Sequence, residues 1–329
     1  MNAHSVYTSP ELANMKEFAR TGALCWRENL NAAFMLKTSL RQASDPEYAA
    51  LLANLQRGKM TQAQYQMLEN RRLTVVPVAN MPPPNCKFIT PVNDTRVAIN
   101  KEVFRERCQT SFCRLPSAGQ DWTEHNTLLC TATVNKTAGA APAHTEEEHK
   151  THQAQMAALR SWIHNVAPEK ILNGMPGELG LSIGAEYTIP ETICPKLGLV
   201  AGMKVVLEDV IFVPGCAPTW NQRRMTHTIS AESIEKLIVS LTIANPDVPS
   251  FEGFALGTVP VNKTEIKRTV GPPGNKMECT IQQFCMIAST CETGHRLQGT
   301  SAETLIGTDL LRRKDNRWLY VALSRVIRM

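Results

Sequence analysis

"TGHRLQGTS" (residues 293–301) and "YVALSRV" (residues 320–326) stand close together near the end of a chain of 329 residues. The first stretch is a polar loop around Gly299, a residue that lets backbone approach a ligand closely. Thr293, His295 and Gln298 add side-chain donors and acceptors to it. The second is a short apolar run that ends in Arg325, and it reads as a buried strand holding a guanidinium at its end. Such a loop beside an arginine suits phosphate oxygens, whether of a nucleotide or of a nucleic-acid backbone. A satisfied loop histidine and an arginine at a fraying surface explain the same residues.

Working outward, composition narrows the classes only a little. Hydrophobic residues make up 43% of the chain, enough for ordinary cores, and its length suits two domains of about 100–200 residues. A net charge of +5 favours an acidic partner mildly, and the densest basic stretch is "RRKDNRW" at 312–318. The first 30 residues lack the apolar core of a signal peptide, and no run of about 18 apolar residues occurs. A cytosolic or nuclear protein with reduced cysteines is the expectation. Cys108, Cys113, His125 and Cys130 offer zinc-type ligands, but their gaps are loose and no CxxC is present. Unrelated, reduced cysteines explain them as well.

Local signals then order the chain. "ASDPEYAALLANLQRGK" offers Asp45 as a helix cap, Pro46 in the first turn and a stripe of Tyr48, Leu51, Leu52 and Leu55. "MTQAQYQMLENRR" opens a second helix with Thr61 and Gln64 as a capping box. "LTVVPVAN" and "CKFITPVN" read as strand pieces, and residues 95–107 return to a helical rhythm. The Ala-, Thr- and Pro-rich text with its acidic run between about 111 and 160 reads as an exposed linker or insertion. Beyond residue 178, β-branched runs dominate, and "EIKRTVGPPGNKMECTIQQF" reads as a hairpin turning at "GPPGN". "ETLIGTDLL" and "WLYVALSRV" read as two closing strands.

With these residues in hand, the stretch 283–326 resembles the second motor domain of superfamily 1 DNA helicases of the RecD-like group. It looks closest to the eukaryotic petite-integration-frequency branch and to the helicases carried by Helitron transposons. In that family Gln-Phe-Pro-Leu leads into Thr-x-His-Lys-x-Gln-Gly-x-Thr, and Tyr-Val-Ala-Leu-Ser-Arg follows. Here Gln283, Phe284, Thr293, His295, Arg296 (in place of lysine), Gln298, Gly299 and Ser301 (in place of threonine) stand in that order, with 320–325 intact. Arg41 and Gln42 are similar to the family's Arg-Gln element. Pro91, Asn93, Val97 and Asn100 are similar to its Pro-x-Asn element. "MPGELGLSIG" and "PKLGLVAGM" resemble the entry to its small β-barrel insertion.

The resemblance implies an α/β fold, with a RecA-like, P-loop-NTPase-type second motor domain interrupted by a mostly β, small barrel-like insertion. It divides the chain into 1–110, the first part of that domain; 111–177, a variable insertion or linker, partly disordered; 178–286, the β-rich insertion; and 287–329, the closing part. Arg325 and Arg41 become phosphate-contacting catalytic arginines, and Gln298 and Gly299 join them in nucleotide binding. Asn93, Thr293, His295 and Arg296 become DNA contacts. ATP and Mg²⁺ are implied for the complete helicase and neither for this chain alone, because GxxxxGK[ST], the acidic metal motif and Gly-Asp-x-x-Gln are all missing from the sequence. The expected partners are single-stranded DNA, bound weakly and without sequence preference, and a separate N-terminal motor domain. No membrane is among them, and the expected location is the nucleus. A degenerate, transposon-derived remnant is the alternative. Glu292 stands where the family has an apolar residue, which places a charge in a central strand at a cost unless it is paired or exposed.

Overall fold

The computed structural model describes residues 41–71, 86–112, 127–136, 146–165, 171–242, 255–272, 276–293, 305–308 and 316–326, besides Thr21, Leu24, Glu28, Glu169, Phe251, Gly253 and Gly274. The expected strand at 73–80, the basic residues 312–315, and Cys113 and His125 lie outside them.

The first two helices follow the local signals. Helix α1 (Pro46–Gln56) starts where Asp45 accepts the Tyr48 N–H at 2.9 Å. It ends in a turn at Gly58, whose φ of 66° suits a residue without Cβ. Helix α2 (Gln62–Glu69) opens with the reciprocal Thr61–Gln64 capping box. Strand β1 (Lys87–Thr90) then leads into α3 (Asn93–Phe112).

Two strands and a helix stand inside the stretch read as a linker: β2 (Thr127–Thr131), β3 (Thr133–Lys136) and α4 (Glu146–Asn165). The acidic run Glu146–Glu148 is the first turn of α4, where carboxylates meet the positive end of the helix dipole. Met156, Leu159 and Ile163 recur at helical spacing and bury against Val134, Ile266 and Ile281.

The strand-rich part comprises β4 (Glu178–Ser182), β5 (Glu186–Thr188), β6 (Lys204–Phe212), β7 (Thr219–Asn221), β8 (Thr226–Ser230), β9 (Ile234–Leu241), β10 (Thr258–Val261), β11 (Thr264–Val270) and β12 (Met277–Gln283). After it come β13 (Ile287–Ala288), β14 (Cys291–Thr293), β15 (Leu305–Gly307) and helix α5 (Asn316–Leu323). The strands form four sheets, in the orders β14-β1-β15, β10-β9-β6-β5-β13, β11-β12-β3 and β4-β2-β8-β7. The first is wholly parallel. The β11–β12 hairpin pairs Thr264 with Gln283 through Val270 with Met277.

The expected barrel-like insertion is not there. Among the described residues each sheet ends in two strands that do not pair with each other, so none closes. Closure needs strands long enough to tilt and stagger around an axis. Within the five-stranded sheet β5 has three residues and β13 two. A mixed α/β fold of four separate sheets therefore replaces the expected motor domain interrupted by a barrel.

The closing segment differs from its reading as well. Residues 316–323 form a helix, not a strand. Trp318 and Ala322, one turn apart, pack with Ile89 of β1, while Tyr320 and Leu323 pack with Tyr48, Leu51 and Leu52 of α1. A helix can bury both faces of an apolar run, and a run this short has no period that separates it from a strand.

The largest core lies among the four-stranded and five-stranded sheets and includes Leu128, Leu181, Tyr187, Val205, Leu207, Val239 and Phe284. Each such side chain contributes roughly 1.5–3 kcal/mol by burial. Backbone and helix meet closely at Gly177, where an added Cβ would stand 1.9 Å from the Ile163 carbonyl oxygen. No helix among the described residues is long and apolar enough to cross a membrane.

Candidate functional site

The turn at 41–44 and helix α1 grip the end of α5. The final carbonyls of a helix lack intrahelical donors. Here Arg41 donates from Nη1 to the Ser324 carbonyl at 2.9 Å, and Gln42 donates from Nε2 to the Val326 carbonyl at 2.9 Å. The Tyr48 hydroxyl donates to the Leu323 carbonyl at 2.6 Å. Burial, with the Asp45 carboxylate beside it, pushes the Tyr48 phenol well above its ordinary range, so it keeps its proton. The Arg41 cation also lies at the negative end of the α5 dipole.

Arg325 follows directly. Its Nε donates to the Val321 carbonyl at 3.2 Å, and its Nη2 to the Ser324 hydroxyl at 2.9 Å. Partial burial and then the neighbouring Arg41 charge lower its affinity for its proton. Arg41 and Arg325 are thus neighbours, although 283 residues separate Arg41 from Ser324. Among the described residues neither pairs with a carboxylate. Two guanidinium groups so placed repel each other, and an anion with several oxygens relieves that repulsion.

The parallel sheet sets out a second group. Phe88, Ile89 and Thr90 of β1 stand opposite Cys291, Glu292 and Thr293 of β14. Both strands therefore bring their carboxyl ends to the same edge, where ligands of open parallel sheets sit. Thr293 is the half-buried last residue of β14, and Asn93 is the exposed first residue of α3. Asn100 of α3 holds the free side of β14. Its Oδ1 accepts the Cys291 N–H at 2.8 Å, and its Nδ2 donates to the carbonyls of Ala288 and Cys291 at 3.0 and 3.2 Å.

Glu292 is only 2% exposed and is paired: Lys204 of β6 stands 2.9 Å away and the Thr188 hydroxyl donates to it at 2.9 Å. Lys204 also reaches Glu186, which in turn accepts from Lys87 of β1 at 2.6 Å. Burial alone would raise the Glu186 carboxyl, but the Lys87 hydrogen bond and the two lysine charges hold it below its ordinary range. Burial works against the Lys204 charge, and Glu292 and Glu186 outweigh it, so the ammonium is stabilised. A further ion pair joins the buried Arg96 of α3 to Glu169.

Of the residues singled out in the sequence, Arg41 and Arg325 come together, and Asn93 and Thr293 share one edge of the parallel sheet. His295, Arg296, Gln298 and Gly299 lie outside the described residues. Cys108 and Cys130 are buried, and the Cys130 thiol, pushed up to about 12 by burial, donates to Gln283 at 3.3 Å. Among the described residues no three His, Cys, Asp or Glu side chains group as metal ligands would. Sequence reasoning took Tyr48 for a stripe residue and passed over Lys204 altogether. Nothing local marks Lys204, whose partner Glu292 is far along the chain.

No protein-family model matches the chain, and no curated protein matches it in sequence. Solved structures do. The Pif1 helicase from Candida albicans is 15% identical, with a TM-score of 0.46, over 92% of this chain and 56% of that one. A Bacteroides Pif1 bound to single-stranded DNA is 12% identical, with a TM-score of 0.46, over 88% and 48%. A Pif1 structure addressing unwinding at forked duplex DNA is 13% identical, with a TM-score of 0.47, over 88% and 46%. The chain is thus similar in structure to Pif1 helicases and spans about half of their length. The narrower RecD-like and Helitron likenesses rest on the sequence motifs alone.

Proposed function

We propose that this chain supplies the arginine-bearing half of an ATP-dependent DNA helicase of superfamily 1, in the RecD-like line of the petite-integration-frequency and Helitron helicases. The junction of Arg41 and Arg325 carries this reading, because two distant arginines are neighbours and, among the described residues, neither pairs with a carboxylate. In the complete helicase ATP supplies the phosphoryl group, and the two guanidinium groups stabilise the negative charge on its oxygens. A P-loop outside this sequence would cradle the nucleotide. The two guanidinium groups suit phosphate oxygens, and the residues that would hold magnesium are expected on the P-loop half.

Asn93 and Thr293, at the strand ends, would face single-stranded DNA, with 1–110 and 287–329 working as one unit and 178–286 as an insertion between its parts. A nuclear location accords with a DNA substrate. The pairing of Glu292 with Lys204 removes a packing cost that the sequence held against a working fold.

The test is titration of a labelled single-stranded oligonucleotide at two salt concentrations. The expected affinity is near the non-specific range, about 10⁻⁴–10⁻⁶ M, with log K falling against log salt by roughly 0.7 per phosphate contacted. Duplex DNA is expected to bind no better. Absence of binding at low salt, from protein shown to be folded by circular dichroism, refutes the reading. The chain alone is expected to show no ATPase turnover, and turnover that vanishes in Arg325→Ala would contradict the need for a second half.

A further inference from the structure

Glu292 occupies an unfavourable place for a carboxylate. It is 2% exposed, and among the described residues its Oε2 has no hydrogen-bond partner. A buried oxygen without a donor costs stability, and an apolar pair of similar volume often serves a core at least as well. Stability alone therefore does not account for this pair, and its geometry suggests another role.

Among the described residues strand β14 spans Cys291–Thr293 and pairs on one side with β1. Asn100 of α3 fastens its backbone at Cys291, and a side-chain anchor at the next residue adds to that hold. Four charges from four strands provide that anchor: Lys87 of β1 holds Glu186 of β5, Glu186 holds Lys204 of β6, and Lys204 holds Glu292 of β14. The Ile89–Glu292 register closes the circuit back onto β1. Two positive and two negative charges leave it neutral, so it fixes geometry without adding a local field. Successive strand residues point to opposite faces. Fastening Glu292 towards β5 and β6 therefore sets the direction in which Thr293 leaves the other face, beside Thr90.

We propose that Lys204 is a positioning residue, which through Glu292 fixes the angle at which Thr293 meets a single-stranded DNA backbone. This rests on the reading of the strand ends as a DNA contact. Lys204 touches no DNA itself.

The experiment is a double-mutant cycle on oligothymidylate binding by the full chain, with all proteins shown to be folded by circular dichroism. Lys204→Met and Thr293→Ala are each expected to weaken binding about tenfold, and the double variant no further than either alone. Lys204→Arg, which keeps the charge, is expected to bind as the parent does. Additive losses, or a folded Lys204→Met that binds normally, overturn the proposal. Should Lys204→Met fail to fold, Glu292→Gln, nearly isosteric, replaces it in the same cycle. If the parent chain does not bind oligothymidylate, the function proposed above fails instead. Hydrogen exchange at residues 291–293 then decides the pair: faster exchange in the variant supports it, and unchanged protection overturns it.

Discussion

Replacing Tyr48 by phenylalanine removes one oxygen and leaves the ring among Leu51, Leu52 and Leu323, so it isolates the bond that ties α1 to the end of α5. The lost contact is the 2.6 Å hydrogen bond to the Leu323 carbonyl, made by a side chain only 2% exposed. That carbonyl also accepts the Val326 N–H at 3.1 Å, so the substitution does not orphan it. The cost is that of one net hydrogen bond, about 1 kcal/mol, and not the larger penalty of a stranded acceptor. About 1 kcal/mol multiplies a local opening constant roughly fivefold. Because Tyr48, Leu51 and Leu52 form a cluster separate from the main cores, the change should stay local. Hydrogen exchange read by mass spectrometry is the assay. Amides of 316–326 are expected to exchange about fivefold faster, with β6 and β9 unchanged. Tyr65→Phe, at a position 55% exposed, is the control and should change nothing. Unchanged exchange in α5 would mean that the hydroxyl does not hold it. Uniform acceleration across the chain would mean that α5 opens only with the whole molecule.

Gly177→Ala brings a Cβ to 1.9 Å from the Ile163 carbonyl oxygen, backbone that cannot swing aside, and is expected to cost about 3 kcal/mol, seen as a lower urea midpoint. Alkaline pH should destabilise the fold. Burial pushes the Cys130 and Cys291 thiols from 9.0 up to about 12, so the folded state keeps protons that the unfolded state releases. Stability is then fully present below pH 9.0 and lost as pH rises towards about 12, a decline that urea titrations across this window would detect. Glu186 acts in the opposite direction. Its lowered pKa gives a stabilisation that is present above the ordinary 4.5 and lost as pH falls below it, and Glu186→Gln should flatten the loss of stability on acidification.

What the sequence made legible was local. Asp45, Thr61 and Gln64 cap helices through bonds that span three residues, and the glycine-proline turn between β11 and β12 imposes its own reversal. The neighbourhood of Arg41 and Arg325 was legible only through the resemblance, since no periodicity connects positions so far apart. The acidic start of α4 was misread because its polar composition outweighed the sparse spacing of Met156, Leu159 and Ile163. Helix α5 was misread because burial on two sides erases the polar stripe that marks a surface helix. The barrel was implied by the resemblance of "MPGELGLSIG" and "PKLGLVAGM", while the β-branched runs themselves pointed only to strands. Strand length and edge pairing decide closure, and neither is written in composition. The partner of Glu292 was hidden for a simpler reason: an ion pair between strands of different sheets leaves no trace in either segment.

The parallel sheet has a consequence for the timing of synthesis. β1 lies in the middle of its sheet, yet both of its neighbours come from beyond residue 290. A ribosome adding about 5–20 residues per second needs roughly 10–40 s to travel from β1 to β14. Throughout that interval Ile89 and both edges of β1 are without the strands and the tryptophan that later cover them, while the sheets between can already assemble. The nascent chain thus carries an unpaired strand from the synthesis of β1 to that of β14, a period in which a chaperone holding its edges would compete with no native strand.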